Sequence, residues 1–185
     1  DRFSAYRLCG FLHLVSEFPL TLPGYFYQEL RARQFVLLNA RYLLPLDKSQ
    51  RWNLDVNLTR FTYPGTREPL NLDYNEVITT LTLDQRWWAM LGWSENVVAT
   101  GERGIYAEVG AKFPITDAFR LETVAAHYDL DDAYGDSYSR VQLSAVYTVG
   151  SVDLRASGHW TTDSAKRIFP GVAGSRLEAA VTWNF

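Results

Sequence analysis

The sequence predicts an all-β fold, a transmembrane antiparallel up-and-down β-barrel of about ten strands with short periplasmic turns and longer extracellular loops. Three observations predict it. Many stretches alternate apolar and polar residues with a period of two, which is the period of a β-strand. The connections between these stretches alternate strictly between short and long. The last residues of the chain keep an apolar residue at every second position from Leu177 to Phe185.

Five stretches carry the clearest alternation, at 51–63, 104–113, 138–149, 152–160 and 175–185. The first of them places Trp52, Leu54, Val56 and Leu58 on one face and polar residues on the other, and the last keeps its apolar face unbroken to the terminus. Weaker strands are expected at 33–44, 72–83, 86–93 and 118–129. A further strand around 2–10 rests mainly on the even count that bacterial outer-membrane barrels require.

The lengths of the connections predict which end of the barrel faces the periplasm. Short connections are expected at 45–50, 84–85, 114–117 and 150–151, and long ones at 64–71, 94–103, 130–137 and 161–174. In outer-membrane barrels the short turns are periplasmic and the long loops extracellular. Counting back from a periplasmic C-terminus makes 10–32 another external loop and places the N-terminus in the periplasm.

A bilayer explains the apolar face and its aromatic residues. The sequence has no apolar run long enough for a transmembrane helix, whereas strands of about 9–11 residues suffice in a closed sheet. Aromatic residues make up 15 % of the chain, and many lie near strand ends on the apolar face. The residues expected at the membrane interfaces are Trp52, Trp93, Trp160, Trp183 and Phe185. A soluble lipocalin-like or sandwich fold is the alternative, and it would bury these aromatics in one core.

The second face of the strands carries charge. It suits either a solvated surface or a barrel lumen filled with ion pairs. The lumen network expected in a barrel consists of Glu108, Lys112, Arg120, Glu122, Arg140, Arg155, Arg176 and Glu178. A barrel of about eight strands is already filled by its side chains, so about ten strands with bulky Arg and Glu predict a narrow or occluded pore.

Composition excludes other classes of function. A net charge of −3 provides no basic field for nucleic acid, so no nucleic-acid partner is expected. The single Cys9 excludes an internal disulfide and any Cys-based metal site. The N-terminus, beginning at Asp1, shows no secretory signal, so we expect that a signal was removed or that the chain is a fragment. The length predicts one domain, residues 1–185.

The C-terminal sequence LEAAVTWNF resembles the last strand of bacterial outer-membrane barrels, which the barrel-assembly machinery reads. More widely, residues 52–185 resemble an uncharacterised family of proteobacterial outer-membrane β-barrel proteins, through FTYPG at 61–65, DYNEV at 73–77 and AHYDL at 126–130. The resemblance implies an outer membrane of a Gram-negative bacterium as location. It also implies outer-membrane lipid, lipopolysaccharide and the barrel-assembly machinery as partners, and no catalytic residue.

Residues 6–46 are similar instead to late barrel strands of Omp85-type and patatin-like surface antigens, through YRLCGF at 6–11 and ELRARQFVLLNARYLLPL at 29–46. In that family an Arg-Gly-aromatic loop motif reaches into the lumen. Here Cys9 stands at the place of the Arg before Gly10 and Phe11, and more strands follow than that family places there.

Three histidines are available for general base chemistry: His13, His127 and His159. His127 lies near Asp131 at the start of a long loop, where an acid and a His could activate water as in an outer-membrane hydrolase of protease or phospholipase type. The neighbouring Asp129, Asp131 and Asp132 could alternatively bind a divalent cation, and simple solvation of a loop explains them equally well. His159 shares a strand face with Ser157 and Asp153, but residues two apart on one strand lie side by side rather than in the directed order of a triad.

Phosphate-binding glycine loops, zinc spacings and nucleophile elbows are absent from the sequence. We therefore expect no cofactor, no metal and no catalytic residue. The predicted function is that of a non-enzymatic outer-membrane barrel with a narrow or occluded pore, or with a structural or surface-interaction role. An outer-membrane hydrolase with a His/Asp site at the loop rim is the alternative.

Overall fold

The structure, a computed structural model, describes residues 6–8, 30–32, 36–63, 73–97, 100–171 and 173–183, with side chains from Leu38 onward. These residues form eleven strands and two short helices. The strands are β1 Tyr6–Leu8, β2 Leu30–Ala32, β3 Val36–Pro45, β4 Trp52–Thr62, β5 Tyr74–Leu83, β6 Trp87–Ser94, β7 Gly104–Pro114, β8 Phe119–Asp129, β9 Tyr138–Val149, β10 Val152–Thr161 and β11 Arg176–Trp183. The helices are α1 Asp131–Tyr134 and α2 Asp163–Ile168.

Nine of the strands form one antiparallel sheet in chain order from β3 to β11, and β1 pairs with β2 in a separate two-stranded sheet. The predicted all-β, antiparallel, up-and-down arrangement is therefore confirmed. Within the described residues, β3 and β11 each have a neighbour on one side only. The sheet is thus open in the structure, and the predicted closed barrel of about ten strands is not observed.

The alternation of short and long connections is confirmed. Short turns join β3 to β4, β5 to β6, β7 to β8 and β9 to β10, and every other connection in the nine-stranded sheet is longer. At 83–86 two consecutive residues, Asp84 and Gln85, have positive φ, and Arg86 N–H donates to Leu83 O at 3.0 Å. Such a turn matches the twist of a tight hairpin. Gly150, with φ of 60°, serves the same purpose between β9 and β10.

Three elements differ from the prediction. β2 lies within 10–32, which was predicted to be a loop, and α1 and α2 lie in two of the long loops. Each is six residues or shorter, too short for a strand or helix period to appear in the sequence. The remainder, residues 10–29, lies outside the described residues. Neither helix in the described part of the chain is long and apolar enough to cross a membrane.

The two faces of the sheet have an inverted distribution of burial. We call the face that carries Trp52, Leu143 and Trp160 the apolar face, and the face that carries Glu108, Arg140 and Ser144 the polar face. Most large side chains on the apolar face are exposed, whereas Glu108, Arg140 and Ser144 are buried. The polar face, and not the apolar one, is therefore the interior of this fold.

The long-loop end of the polar face is covered by a small apolar cap. Residues from three long loops, Val97, Leu130, Ala165 and Phe169, are buried together with strand residues Tyr106, Ala126, Tyr128 and Tyr138. The backbone after α2 contributes Phe169, whose ring packs edge-on against Tyr138 at 6.1 Å. The cap is thus continuous with the side chains of the polar face.

Candidate functional site: the polar face of the sheet

Directly beneath the cap lies a layer of tyrosines from three consecutive strands. Tyr106 and Tyr128 have ring centroids 4.5 Å apart, and Tyr128 and Tyr138 stack at 4.6 Å. All three rings are buried. Stacked aromatic rings fill space with little freedom, so this layer leaves no room for a solute between β7 and β9.

A buried ion pair lies next to the tyrosines. An Arg140 terminal nitrogen donates to a Glu108 carboxylate oxygen at 2.8 Å, and the two residues are only 3 % and 8 % exposed. Glu108 also accepts from the Tyr106 hydroxyl and, at 2.8 Å, from Trp88 Nε1. Gly110 makes the last contact possible, because a Cβ there would lie 2.0 Å from a carbon of the Trp88 ring. The carboxylate is thus satisfied by three donors, as a buried charge requires.

A second group of charges lies nearer the short turns. Glu122 accepts from Arg120 and from Arg155, each at 2.8 Å, and Arg120 also donates to Asp153 at 2.9 Å. Thr148 donates to the other oxygen of Asp153 at 2.5 Å. The group therefore joins β8, β9 and β10 through alternating charges, none of which is left alone.

Neutral polar side chains extend the first group along the polar face. Arg140 donates to Gln142 at 3.0 Å, Gln142 donates to Ser144 at 3.0 Å, and the hydroxyls of Ser144 and Ser157 are 2.8 Å apart. Hydrogen bonds therefore follow the polar face from the cap towards the short turns. A chain of bonded side chains of this kind is rigid and leaves few free groups for binding a solute.

The eight predicted network residues all lie on the polar face, but they do not form one network. Glu108, Arg120, Glu122, Arg140 and Arg155 belong to the two ion-pair groups. Lys112 instead lies over the Trp88 ring, with Nζ 6.0 Å from its centroid. Glu178 lies near His159, 3.9 Å from Nε2, and Arg176 is exposed at the β11 edge.

The pair on which the alternative hydrolase hypothesis depends, His127 and Asp131, does not come together. His127 lies in β8 and not in the loop, on the apolar face, where its Nδ1 is 2.9 Å from the Ser139 hydroxyl. Asp131 accepts instead from Ser137 at 2.7 Å. The Ser139 contact was missed in the sequence because it depends on the cross-strand register of β8 and β9, which no local pattern reveals.

His159 does not form a triad with Ser157 and Asp153. Its ring is buried, and within the described residues neither ring nitrogen makes a hydrogen bond. The Ser157 hydroxyl bonds to Ser144 and the Asp153 carboxylate to Arg120 and Thr148. The three side chains therefore belong to the packed interior.

The acidic residues around α1 diverge. Asp132 pairs with Arg103 at 2.5 Å, while Asp129 accepts from the Asp131 amide at 3.3 Å and from Ser137 at 3.4 Å. In the part of the chain that the structure describes, no group of three or more His, Cys, Asp or Glu side chains is placed to hold a metal ion. The cation site considered from the sequence is therefore not assembled.

One carboxyl group of the polar face belongs to neither ion-pair group. Glu76 in β5 is 1 % exposed, and neither of its oxygens has a hydrogen-bond partner among the described residues. Ser94 lies directly opposite in register and its hydroxyl is equally buried and unbonded. Burying a carboxyl group without a hydrogen-bond partner is unfavourable, so Glu76 lowers the free energy of unfolding.

Ion pairs in the loops fix the two ends of the sheet. At the long-loop end, two nitrogens of Arg167 bond to Asp136 at 3.1 and 2.7 Å, and this bonding lowers the pKa of the Asp136 carboxyl. At the short-turn end, Arg51 bonds to Asp84 and lowers the pKa of that carboxyl in the same way. The Arg167–Asp136 pair connects α2, which contributes Ala165 to the apolar cap, to the loop between β8 and β9.

Comparisons with protein-family models, curated proteins and solved structures found no match to this chain.

Proposed function

We propose that this protein is an outer-membrane β-barrel whose interior is occluded and whose role is structural or in surface interaction. The single observation that supports this proposal best is the inversion of the two faces of the sheet: apolar residues exposed, polar residues buried. A soluble barrel or sandwich buries its apolar face, whereas here the apolar face is the exposed one. An exposed apolar face of a sheet is stable in contact with the hydrocarbon of a bilayer.

The positions of the tryptophans on the apolar face support a bilayer. Trp52 and Trp183 lie at the short-turn end of their strands, and Trp93 and Trp160 lie at the long-loop end. Trp183 lies opposite Val152, so eight residues of β10, or ~26 Å along the strand, separate it from Trp160. With strands tilted by about 35–45°, as in outer-membrane barrels, this length corresponds to a height of roughly 19–22 Å, which is comparable to their apolar band of about 25 Å. Two aromatic levels at this spacing favour two membrane interfaces.

Strand direction supports closure by a tenth strand. Since the sheet has nine antiparallel strands, β3 and β11 run in the same direction and cannot close on each other in an antiparallel manner. β1 pairs antiparallel with β2, which precedes β3 in the chain. We propose that the N-terminal segment around β1 is the opposite-running strand between β3 and β11. Closure is needed because unpaired backbone groups are not tolerated in hydrocarbon.

The filled interior argues against a wide channel. The cap, the tyrosine layer and the two ion-pair groups occupy the polar face from β7 to β10. Conduction would require breaking buried ion pairs, each of which is costly to break. The long loops would face the cell exterior with lipopolysaccharide around them, and the last strand would carry the signal for the barrel-assembly machinery.

Folding into lipid vesicles tests the proposal. We expect the unfolded chain to insert into phospholipid vesicles, to migrate on a gel as a heat-modifiable closed barrel, and to give no stable conductance steps in a planar bilayer. Steps comparable to those of a general porin would contradict the occluded interior. A soluble monomer that needs no detergent would contradict the membrane location.

Closure has a separate test, which uses the native Cys9. A second cysteine is placed at Leu177 or, as the matched control, at Val181, and disulfide formation is measured in vesicles. If the N-terminal strand pairs with β11, the Leu177→Cys protein crosslinks more than the Val181→Cys protein, because Leu177 lies at the long-loop end of β11, where an opposite-running β1 would also end. Equal crosslinking, or none, would count against this pairing.

A further inference from the structure

A histidine and a serine share the apolar face near its long-loop edge. His127 and Ser139 are direct cross-strand neighbours of β8 and β9, with Nδ1 and Oγ 2.9 Å apart. His127 is exposed. Within the described residues this is the one hydrogen bond made by either side chain. Both polar side chains therefore lie on the outer side of the sheet. No other hydrogen bond among the described residues depends on them.

The backbone of Ser139 is held in place independently of this contact. Its N–H donates to the Thr162 hydroxyl at 3.2 Å, and its carbonyl accepts from the Thr162 N–H at 3.0 Å. The serine is thus fixed between β8 and the start of α2, while its hydroxyl remains at the surface. A nucleophile held beside a base on rigid strands has the geometry that covalent catalysis needs.

The position of His127 and Ser139 along their strands indicates which part of a membrane lipid they would contact. Val141, two residues along from Ser139, lies opposite Trp160, one of the tryptophans at the long-loop end. If these tryptophans lie at the outer membrane interface, the pair lies at the height where the ester linkages of lipids join headgroups to acyl chains. Ala107 lies opposite His127 on β7, and Ala125 lies two residues before it on the same face, so the side chains next to His127 at these positions are small.

We propose that Ser139 and His127 form a catalytic pair on the outer surface of the barrel that hydrolyses a fatty acyl ester of a membrane lipid. This goes beyond the structural role above, and it rests on the proposed membrane location. Ser139 Oγ attacks the ester carbonyl carbon while its proton passes to His127 Nδ1. The bond from that carbon to the lipid oxygen breaks, and the departing oxygen takes the proton from His127. Water then cleaves the acyl-serine with His127 as base, releasing a fatty acid and restoring Ser139.

Labelling of the vesicle-inserted protein tests the pair directly. We expect a fluorophosphonate probe to modify the peptide that contains Ser139, and fatty acid to be released from the vesicles. Ser139→Ala should abolish both signals, and His127→Asn should lower both rates by about 10²–10⁴-fold, the usual contribution of a general base. Ser137→Ala and His159→Asn are the matched controls and should leave labelling and release unchanged.

Two vesicle compositions identify the source of the ester. Release from diacyl phospholipid alone indicates a phospholipid substrate, and release only when lipopolysaccharide is present indicates its ester-linked acyl chains; either result supports the proposal. A barrel that inserts but is neither labelled at Ser139 nor active on either vesicle overturns the catalytic pair and leaves the structural role intact. Failure to insert overturns both proposals, since the pair then faces no lipid. Gel migration of each variant shows whether it has folded.

Discussion

Removing the cation of the buried ion pair should be the most destabilising single change on the polar face. Arg140→Met leaves Glu108 with donors from Trp88 and Tyr106 but without a neutralising charge. Breaking a buried pair by removing one partner costs about 3–5 kcal/mol. Because two donors to the carboxylate remain, we expect the low end, about 3 kcal/mol, in the free energy of unfolding.

The second mutation of the pair should restore most of this loss. In Glu108→Gln/Arg140→Met no buried charge remains, so the double variant should lie within about 1 kcal/mol of the parent, about 2 kcal/mol more stable than Arg140→Met alone. Glu108→Gln alone leaves Arg140 without its charged partner and is also destabilising, so the losses of the two single variants should not add in the double variant. Arg41→Met is the matched control, since Arg41 pairs with Asp55 but is 65 % exposed, and it should cost less than about 1 kcal/mol.

The assay is equilibrium unfolding by urea of the vesicle-inserted protein, followed by tryptophan fluorescence. If the two single variants each cost less than 1 kcal/mol and their effects simply add, the pair is not buried and the polar face is not the interior. A loss in Arg41→Met equal to that in Arg140→Met would contradict the reasoning equally.

The remaining predictions concern the membrane face, the unbonded carboxyl and the cap. Leu143→Arg should cost about 2–4 kcal/mol in vesicles, as for Arg near the bilayer midplane, while Gln142→Arg on the polar face should cost clearly less; unfolding titrations compare the two. Glu76→Met should raise the free energy of unfolding in the same assay by about 1–3 kcal/mol, because it removes a buried group without a partner. The lowered pKa of Asp136 beside Arg167 means that its stabilising effect is present above its unfolded value of about 3.8 and is lost as pH falls below that value. The protection of the α2 amides, taken relative to their intrinsic exchange rate at each pH, should therefore fall in acid, and Asp136→Asn should show low protection at every pH.

The strands could be predicted because their signal is local. A strand with one apolar face shows its period within about ten residues, so even the weak stretch 118–129 corresponds to β8, Phe119–Asp129. The short turns could be predicted because alternating stretches left little room between them. The helices α1 and α2 could not, since a single turn of helix has no period to detect.

The candidate site could also be predicted only in part. Charges on alternate positions of β7 to β10 predicted the polar face, and Glu108, Arg120, Glu122, Arg140 and Arg155 do meet there. Which charge meets which depends on register, and so does the contact between His127 and Ser139. Register is a property of two strands together, so reasoning along one strand at a time could not find that contact.

The orientation of the faces towards lipid is the central claim, and tryptophan quenching measures it most directly. The chain has six tryptophans, of which Trp93 lies on the apolar face and Trp88 bonds to Glu108 on the polar face. Two variants each retain one of these and carry Phe at the other five positions. In vesicles of bromine-labelled phospholipid, the emission of the Trp93 protein should be strongly quenched and that of the Trp88 protein should be protected. Equal quenching of the two, or none of Trp93, would contradict the claim that the apolar face of this sheet contacts the membrane.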